Sequence, residues 1–172
     1  YKRQDGGEVE LGGVGERLLK RKAARNIYTL LPGTDSDLDK AYPGDSDTFF
    51  DLTNPKNAFT TTNTYLTKTI LGVSTDTEKN DLINFVHGLD AYDDNNNTIK
   101  TEKREWILGS FVHSRPFIIH YPDQTVLYAG ANDGMLHAFR DSDGEELWGF
   151  VPPCFLDRLK ELHTTTPGMF VD

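Results

Sequence analysis

Four short apolar runs set between tight turns constrain what residues 116–153 can become. Phe117 to Tyr121 is the first run, ended by Pro122-Asp123, and Thr125 to Gly130 is the second. Asn132-Asp133-Gly134 turns the chain back into Met135 to Phe139, and Asp141-Ser142-Asp143-Gly144 leads into Glu146 to Val151. Asp-Gly between apolar runs is the strongest short-range hairpin signal, because the turn needs φ > 0 and glycine enters that region without steric cost. The pattern predicts a four-stranded antiparallel meander, the size of one β-propeller blade. A lone blade has unpaired edges and an apolar face and is not a stable unit alone, so the isolated chain is expected to associate or to borrow a strand from another copy.

Side-chain sizes sharpen that expectation. Ala129, Ala131 and Ala138 are small residues beside the turns, where neighbouring blades would approach closely. Trp148 lies early in the last run, where a flat ring can wedge between sheets and bury roughly 150–250 Å². The spacing of Ala131, Asp133, Gly134 and Ala138, followed by Gly144 and Trp148, resembles the tryptophan-docking blade motif of quinoprotein-like propellers. Asp143 stands where that motif usually has Thr, a replacement that suits the turn equally well.

The rest of the chain is polar. Its 27 acidic and 18 basic residues give a net charge of −9, which argues against sequence-independent binding to nucleic acid or to anionic membrane surfaces. A single cysteine, Cys154, excludes an internal disulfide and a cysteine-based zinc site, and it is expected to be a small buried apolar residue. No apolar run approaches the ~18 residues that a membrane-spanning helix needs. The chain opens at Tyr1 and closes abruptly at Val171-Asp172, so it is expected to be a piece of a larger protein, and its lack of a targeting segment carries no information about compartment.

Three regions follow from composition: a flexible or helical lead-in over 1–25, a loop-rich α+β segment over 26–105, and the blade with a short helix and the start of another strand over 106–172. Gly12-Gly13-Val14-Gly15 lacks the spacing and the preceding strand of a phosphate loop and reads as lead-in. One or two helical turns are expected within Glu16 to Ala24, and Asn26 to Leu31 reads as a strand. Thr34 to Asn57 is an acidic loop or hairpin that Phe49, Phe50 and Leu52 would anchor; its Asp residues offer a calcium reading, against which stands a solvated surface. A helix is expected from Asp76 or Thr77, capped by Thr77, with Leu82, Phe85, Val86 and Leu89 on one face and Gly88 near its end. Phe155 to Leu162 reads as a short amphipathic helix.

Chemistry-bearing constellations are few. Asp93, Asn95 and Asn97 alternate as side-chain oxygens do in the first half of a calcium loop. Thr98 then replaces the glycine such a loop needs, Arg104 occupies the place of the bidentate glutamate, and Glu102 comes two residues early. The competing reading is an Asn/Asp-rich surface turn. His113 and Ser114 are adjacent and project to opposite faces of a strand, which is not the geometry of a nucleophile and its base. His87 reads as a surface helix residue, and His120, His137 and His163 each stand alone in sequence. No catalytic residue is expected.

Several segments together resemble the PilY/PilC family of type IV pilus tip-associated proteins, at the start of the C-terminal propeller. They are Arg25 to Thr29, Leu82 to Gly88, Trp106 to Gly109, Val112 to Pro116, the blade motif Tyr128 to Phe139, Glu145 to Trp148, and Val151-Pro152-Pro153. Ser110 departs from the Asp that usually follows the Leu-Gly pair. The resemblance implies a non-enzymatic module of a surface, pilus-tip, outer-membrane or periplasmic protein that supports pilus assembly, adhesion or surface sensing. It implies pilin or minor pilin subunits and host or surface ligands as partners, and calcium as an associated ion. Because the blade motif is shared, a fragment of a pyrroloquinoline quinone-dependent dehydrogenase and an outer-membrane assembly scaffold are the rival expectations.

Overall fold

A computed structural model describes residues 13–31, 55–112 and 114–164 of the chain. The acidic stretch with Phe49, Phe50 and Leu52, His113, and the strand expected after Thr164 lie outside the described residues. The described fold is mainly β, with few and short helices. In chain order it runs α1 (Gly13–Lys20), β1 (Ile27–Thr29), α2 (Asp76–Val86), β2 (Phe117–His120), β3 (Thr125–Ala131), β4 (Met135–Arg140), β5 (Glu146–Val151) and α3 (Glu161–Thr164).

β2 to β5 form the expected antiparallel meander, each strand within about one residue of the run read from sequence. Gly134 (φ 78°) and Gly144 (φ 72°) supply the left-handed turn conformations that the two Asp-Gly pairs announced. The structure adds a fifth strand. β1 pairs in parallel with β5, Tyr28 opposite Phe150, so the order across the sheet is β1-β5-β4-β3-β2.

Over β1, β5 and β4, one face of this sheet is sealed by the chain's own insertion. Ile27, Met135 and Val151 on the sheet pack with Leu82, Ile83 and Val86 of α2 and with Phe59, Leu66, Leu71, Leu156 and Leu159 of the connecting turns. A smaller cluster of Leu18, Ile107, Leu108 and Phe139 fixes α1 beside it. The loop over 55–66 keeps its shape through Asn63, whose amide nitrogen donates to the carbonyls of Lys56 (2.9 Å) and Ala58 (2.7 Å).

Helix ends differ from the sequence reading. α2 is capped by Thr75, not Thr77. The Thr75 hydroxyl accepts from the Glu78 amide at 3.1 Å, and the Glu78 carboxylate accepts from the Thr75 amide at 3.2 Å, a reciprocal capping box. Gly88 (φ 97°) ends the helix beside Ile107, where an added Cβ would come within 2.7 Å of the isoleucine side chain. α1 begins at Gly13, earlier than expected, and Lys103 closes its far end by donating to the carbonyls of Leu18 (2.7 Å) and Leu19 (2.8 Å).

Residues 153–164 are a correction. A 3-10 turn over Pro153–Phe155, further turns and the four-residue α3 replace the single helix expected over 155–162. Pro152-Pro153 forces the chain out of β5 into a tight turn, and Leu156 and Leu159 reach the core without a continuous helix. Cys154, on the outside of that turn, is exposed and not buried.

Candidate functional site

Four charged side chains meet inside the molecule, on the sealed face of the sheet. A β-bulge puts one of them there. Ala138 pairs with Trp148, but Phe139 pairs with Glu146, so Leu147 is an extra residue in β5. Without that insertion Glu146 would project to the same side as Trp148. With it, the carboxylate turns inward, and Glu146 is only 2% exposed.

Arg25, just ahead of β1, grips this carboxylate with two parallel bonds: Nε to Oε2 at 2.8 Å and Nη2 to Oε1 at 2.7 Å. Its remaining Nη1 donates to the carbonyl of Val86 at 2.8 Å, at the last residue of α2. His137, fully buried in β4, places Nδ1 2.8 Å from Glu146 Oε1 and Nε2 3.1 Å from Asp133 Oδ1. Asp133 in turn accepts from the Gly109 amide (3.0 Å) and the Met135 amide (3.2 Å). The line Arg25–Glu146–His137–Asp133 thus ties the lead-in, α2, β4, β5 and the 106–112 segment together.

Facing a carboxylate on each ring nitrogen, His137 is doubly protonated. Burial opposes that charge, but Asp133 and Glu146 outweigh it and raise the pKa to about 9. Burial would likewise raise Glu146, yet the bonds from Arg25 and His137 prevail and hold it at about 2. For Asp133 burial is again overcome, chiefly by His137, and its pKa lies below the ordinary carboxylate range.

These shifts fix a pH dependence. The raised His137 pKa contributes stability that is complete below the unfolded value near 6.5 and is lost as pH climbs through about 9. The depressed Glu146 pKa contributes stability that is complete above about 4.5 and is lost as pH falls through about 2. Urea midpoints should therefore plateau between about pH 4.5 and 6.5 and decline on the alkaline side towards pH 9. His137→Gln should flatten the alkaline limb, and an unchanged limb in that variant would remove His137 as its source.

The cluster is built from acids, a base and a cation, yet it has the character of a clasp. Every nitrogen of His137 and both oxygens of Asp133 and Glu146 are taken by protein groups, and His137 is closed to solvent. His137, expected to stand alone, was missed because its two partners lie four and nine residues away, one of them re-aimed by the bulge. His87 is also more engaged than expected. It ends α2, and its Nε2 donates to the Phe59 carbonyl at 2.7 Å, while burial lowers its pKa.

The remaining motif residues divide between the two faces. Asp133 belongs to the buried line, and Gly134 and Gly144 form the turns. Ala131 pairs with Met135 on the sealed side, whereas Ala138 lies on the other side, opposite Tyr128 and Trp148 in the ladder. The Tyr128 and Trp148 rings approach to 5.7 Å there. Ser110, at the departure from the family pattern, accepts through its hydroxyl oxygen from the Asn132 side-chain nitrogen at 2.9 Å.

The Asp/Asn loop follows α2 and closes where the Asp90 amide donates to the Glu102 carbonyl at 2.8 Å. Asp93, Asn96 and Thr98 adopt φ of 59°, 58° and 68°, so the missing glycine at Thr98 is met by a left-handed threonine. Asp93 Oδ1, Asn95 Oδ1 and Asn97 Oδ1 accept the amides of Thr98, Asn97 and Ile99. The side-chain nitrogens of Asn95 and Asn97 both reach Glu102 Oε1 at 2.6 Å. Among the described residues no group of three or more His, Cys, Asp or Glu is placed to hold a metal ion. No described helix is long and apolar enough to cross a membrane.

Comparison with known proteins supports the resemblance seen in the sequence. The chain is 31% identical over 104 residues to a type IV pilus biogenesis factor PilY1 homolog of Xylella fastidiosa, covering 46% of this chain and 8% of the relative. It is 30% identical over 112 residues to the type IV pilus biogenesis factor PilY1 of Pseudomonas aeruginosa, covering 51% of this chain and 9% of the relative. The chain thus spans less than a tenth of the length of these curated relatives. No family model and no solved structure matches it.

Proposed function

We propose that this chain, a family-level relative of the PilY1 type IV pilus biogenesis factors, acts as a non-enzymatic structural module in pilus biogenesis. The observation that carries the reading is the match to these factors together with a blade-like sheet whose ionisable centre is bound up internally. In this role the sheet serves as a rigid platform in a surface-exposed or periplasmic protein, contacting pilin or minor pilin subunits and contributing to adhesion or surface sensing. A chimera tests it: residues of this chain replace the matched segment of the Pseudomonas aeruginosa PilY1 factor. Surface pili are expected to return in a strain lacking that factor. A chimera made in normal amounts that leaves the cells bald would sink the reading, and dye-linked alcohol oxidation after loading with pyrroloquinoline quinone would favour the dehydrogenase rival.

A calcium-modulated form of this role draws on the Asp/Asn loop. Asp93, Asn95, Asn97 and Glu102 carry side-chain oxygens of the hard kind that Ca²⁺ selects, and Glu102, despite its early place in sequence, lies beside both asparagines, whose side-chain nitrogens face it. Binding would require the two asparagine amides to present oxygen in place of nitrogen. Calorimetric titration with Ca²⁺ should give heat that Asp93→Ala abolishes, and identical heats in both proteins would remove calcium from the proposal.

A further inference from the structure

We infer that the cavity between the end of the lead-in and the C-terminal half of α2 binds a small aliphatic carboxylate, its headgroup at Lys22 and its body against the apolar wall. This inference stands apart from the pilus reading. The cavity has a volume of about 420 Å³ and is bounded by the segment after α1, the Thr60-Thr61 turn, α2 and Lys103. Its charge balance is the reverse of the chain's. The protein carries 27 acidic residues, yet among the described residues none lines this cavity, whereas Lys22, Arg25, His87 and Lys103 all do.

The four bases are not equivalent. Arg25 is compensated by the Glu146 carboxylate at 2.7 and 2.8 Å. His87 is neutral, since its Nε2 donates to the Phe59 carbonyl and burial lowers its pKa. Lys103 donates to the carbonyls of Leu18, Leu19 and Arg21, which use all three of its N–H groups and supply no full counter-charge. Burial lowers the Lys103 pKa, and Arg21 and Arg25 lower it further with no carboxylate opposing them. Lys22 has neither a hydrogen bond nor an ion pair with any described residue. Two ammonium charges therefore border the cavity uncompensated, and a bound anion would relieve both. The Thr61 hydroxyl and the Asn84 side-chain amide also line it, and neither has a partner among the described residues. The rest of the wall is apolar, from Leu18, Ala23, Ala24, Ile83 and Leu89, which selects an aliphatic body. A bare phosphate would need several free cationic donors, and only Lys22 offers them.

Calorimetric titration of the 172-residue chain with sodium hexanoate should give saturable binding, with affinity rising about fourfold per methylene from butanoate to hexanoate. Hexanol keeps the body without the charge and should bind roughly tenfold more weakly, and inorganic phosphate at equal concentration should not compete. Lys22→Glu should cut the hexanoate affinity by roughly tenfold or more. Lys68→Glu, an exposed change of equal charge outside the cavity, should leave it unchanged. In NMR spectra of the unaltered chain the His87 ring resonances should shift as hexanoate is added, which locates the site without any substitution. Absent binding, equal affinity for hexanoate and hexanol, competition by phosphate, a Lys22→Glu variant that binds like the parent, or unmoved His87 resonances would each overturn the inference.

Discussion

Arg25→Ala is expected to lower the unfolding free energy by about 3–5 kcal/mol, measured by urea denaturation at pH 6. The guanidinium is one of two partners that hold a fully enclosed carboxylate in its charged form, and the arginine side chain is itself only 3% exposed. Its removal leaves Glu146 bound to His137 alone and the Val86 carbonyl without this donor, so two buried acceptors lose partners at once. Against a typical total of about 5–15 kcal/mol, that loss is a large fraction of the whole. Removing the acceptor together with the donor should be milder. Arg25→Met combined with Glu146→Gln should recover part of the loss, since no uncompensated carboxylate remains in the core. A single Arg25→Ala variant within 1 kcal/mol of the parent would mean that water replaces the guanidinium and that the clasp is not closed.

Gly109→Ala is expected to cost about 3 kcal/mol, although it adds one methyl group. A Cβ there would lie 2.4 Å from the Asp133 amide nitrogen and 3.0 Å from the Asn132 carbonyl carbon, both backbone atoms that cannot rotate aside. Relief requires parting the 106–112 segment from the β3–β4 turn, which breaks the hydrogen bond that the Gly109 amide donates to the Asp133 carboxylate. Overpacking of about 1–3 kcal/mol then combines with loss of a charge-assisted hydrogen bond of similar size. Gly130→Ala is the matched control. Its nearest neighbour is the Ser114 hydroxyl at 3.8 Å, an ordinary contact, so the change should lie within about 0.5 kcal/mol. Equal stabilities of the two variants would show that the turn yields freely and does not anchor the segment.

Much of the meander was legible because its information is local. Alternation and the two Asp-Gly pairs determine turn and register within a span of a few residues, and those strands appear where expected. β1 was read as a strand, but its parallel seat against β5 depends on residues about 120 positions away, which no local pattern encodes. The inward turn of Glu146 was illegible for a different reason: simple alternation puts it beside Trp148, and one extra residue reverses it. With Glu146 assigned outward, His137 had no visible second partner. The start of α2 was legible in principle, since Thr75 and Glu78 hold the capping-box spacing, but a second threonine at position 77 offered a competing start. Over 155–162 the leucine spacing fits a helix, and two short turns after Pro152-Pro153 satisfy the same burial. Cys154 followed its residue type's usual preference in the reading and the turn's geometry in the fold.

The bond between Arg25 and Glu146 joins positions 121 residues apart, as does, within one residue, the Thr29 hydroxyl's bond to the Val151 carbonyl. Closing so long a span costs chain entropy that the neighbouring hairpins never face. The hairpins of β2 to β5 are therefore expected to assemble early, with Glu146 still hydrated, and the lead-in to dock last. A lesion at Arg25 should then hasten unfolding far more than it slows refolding, and the residence time of the native state becomes a property set by its first thirty residues.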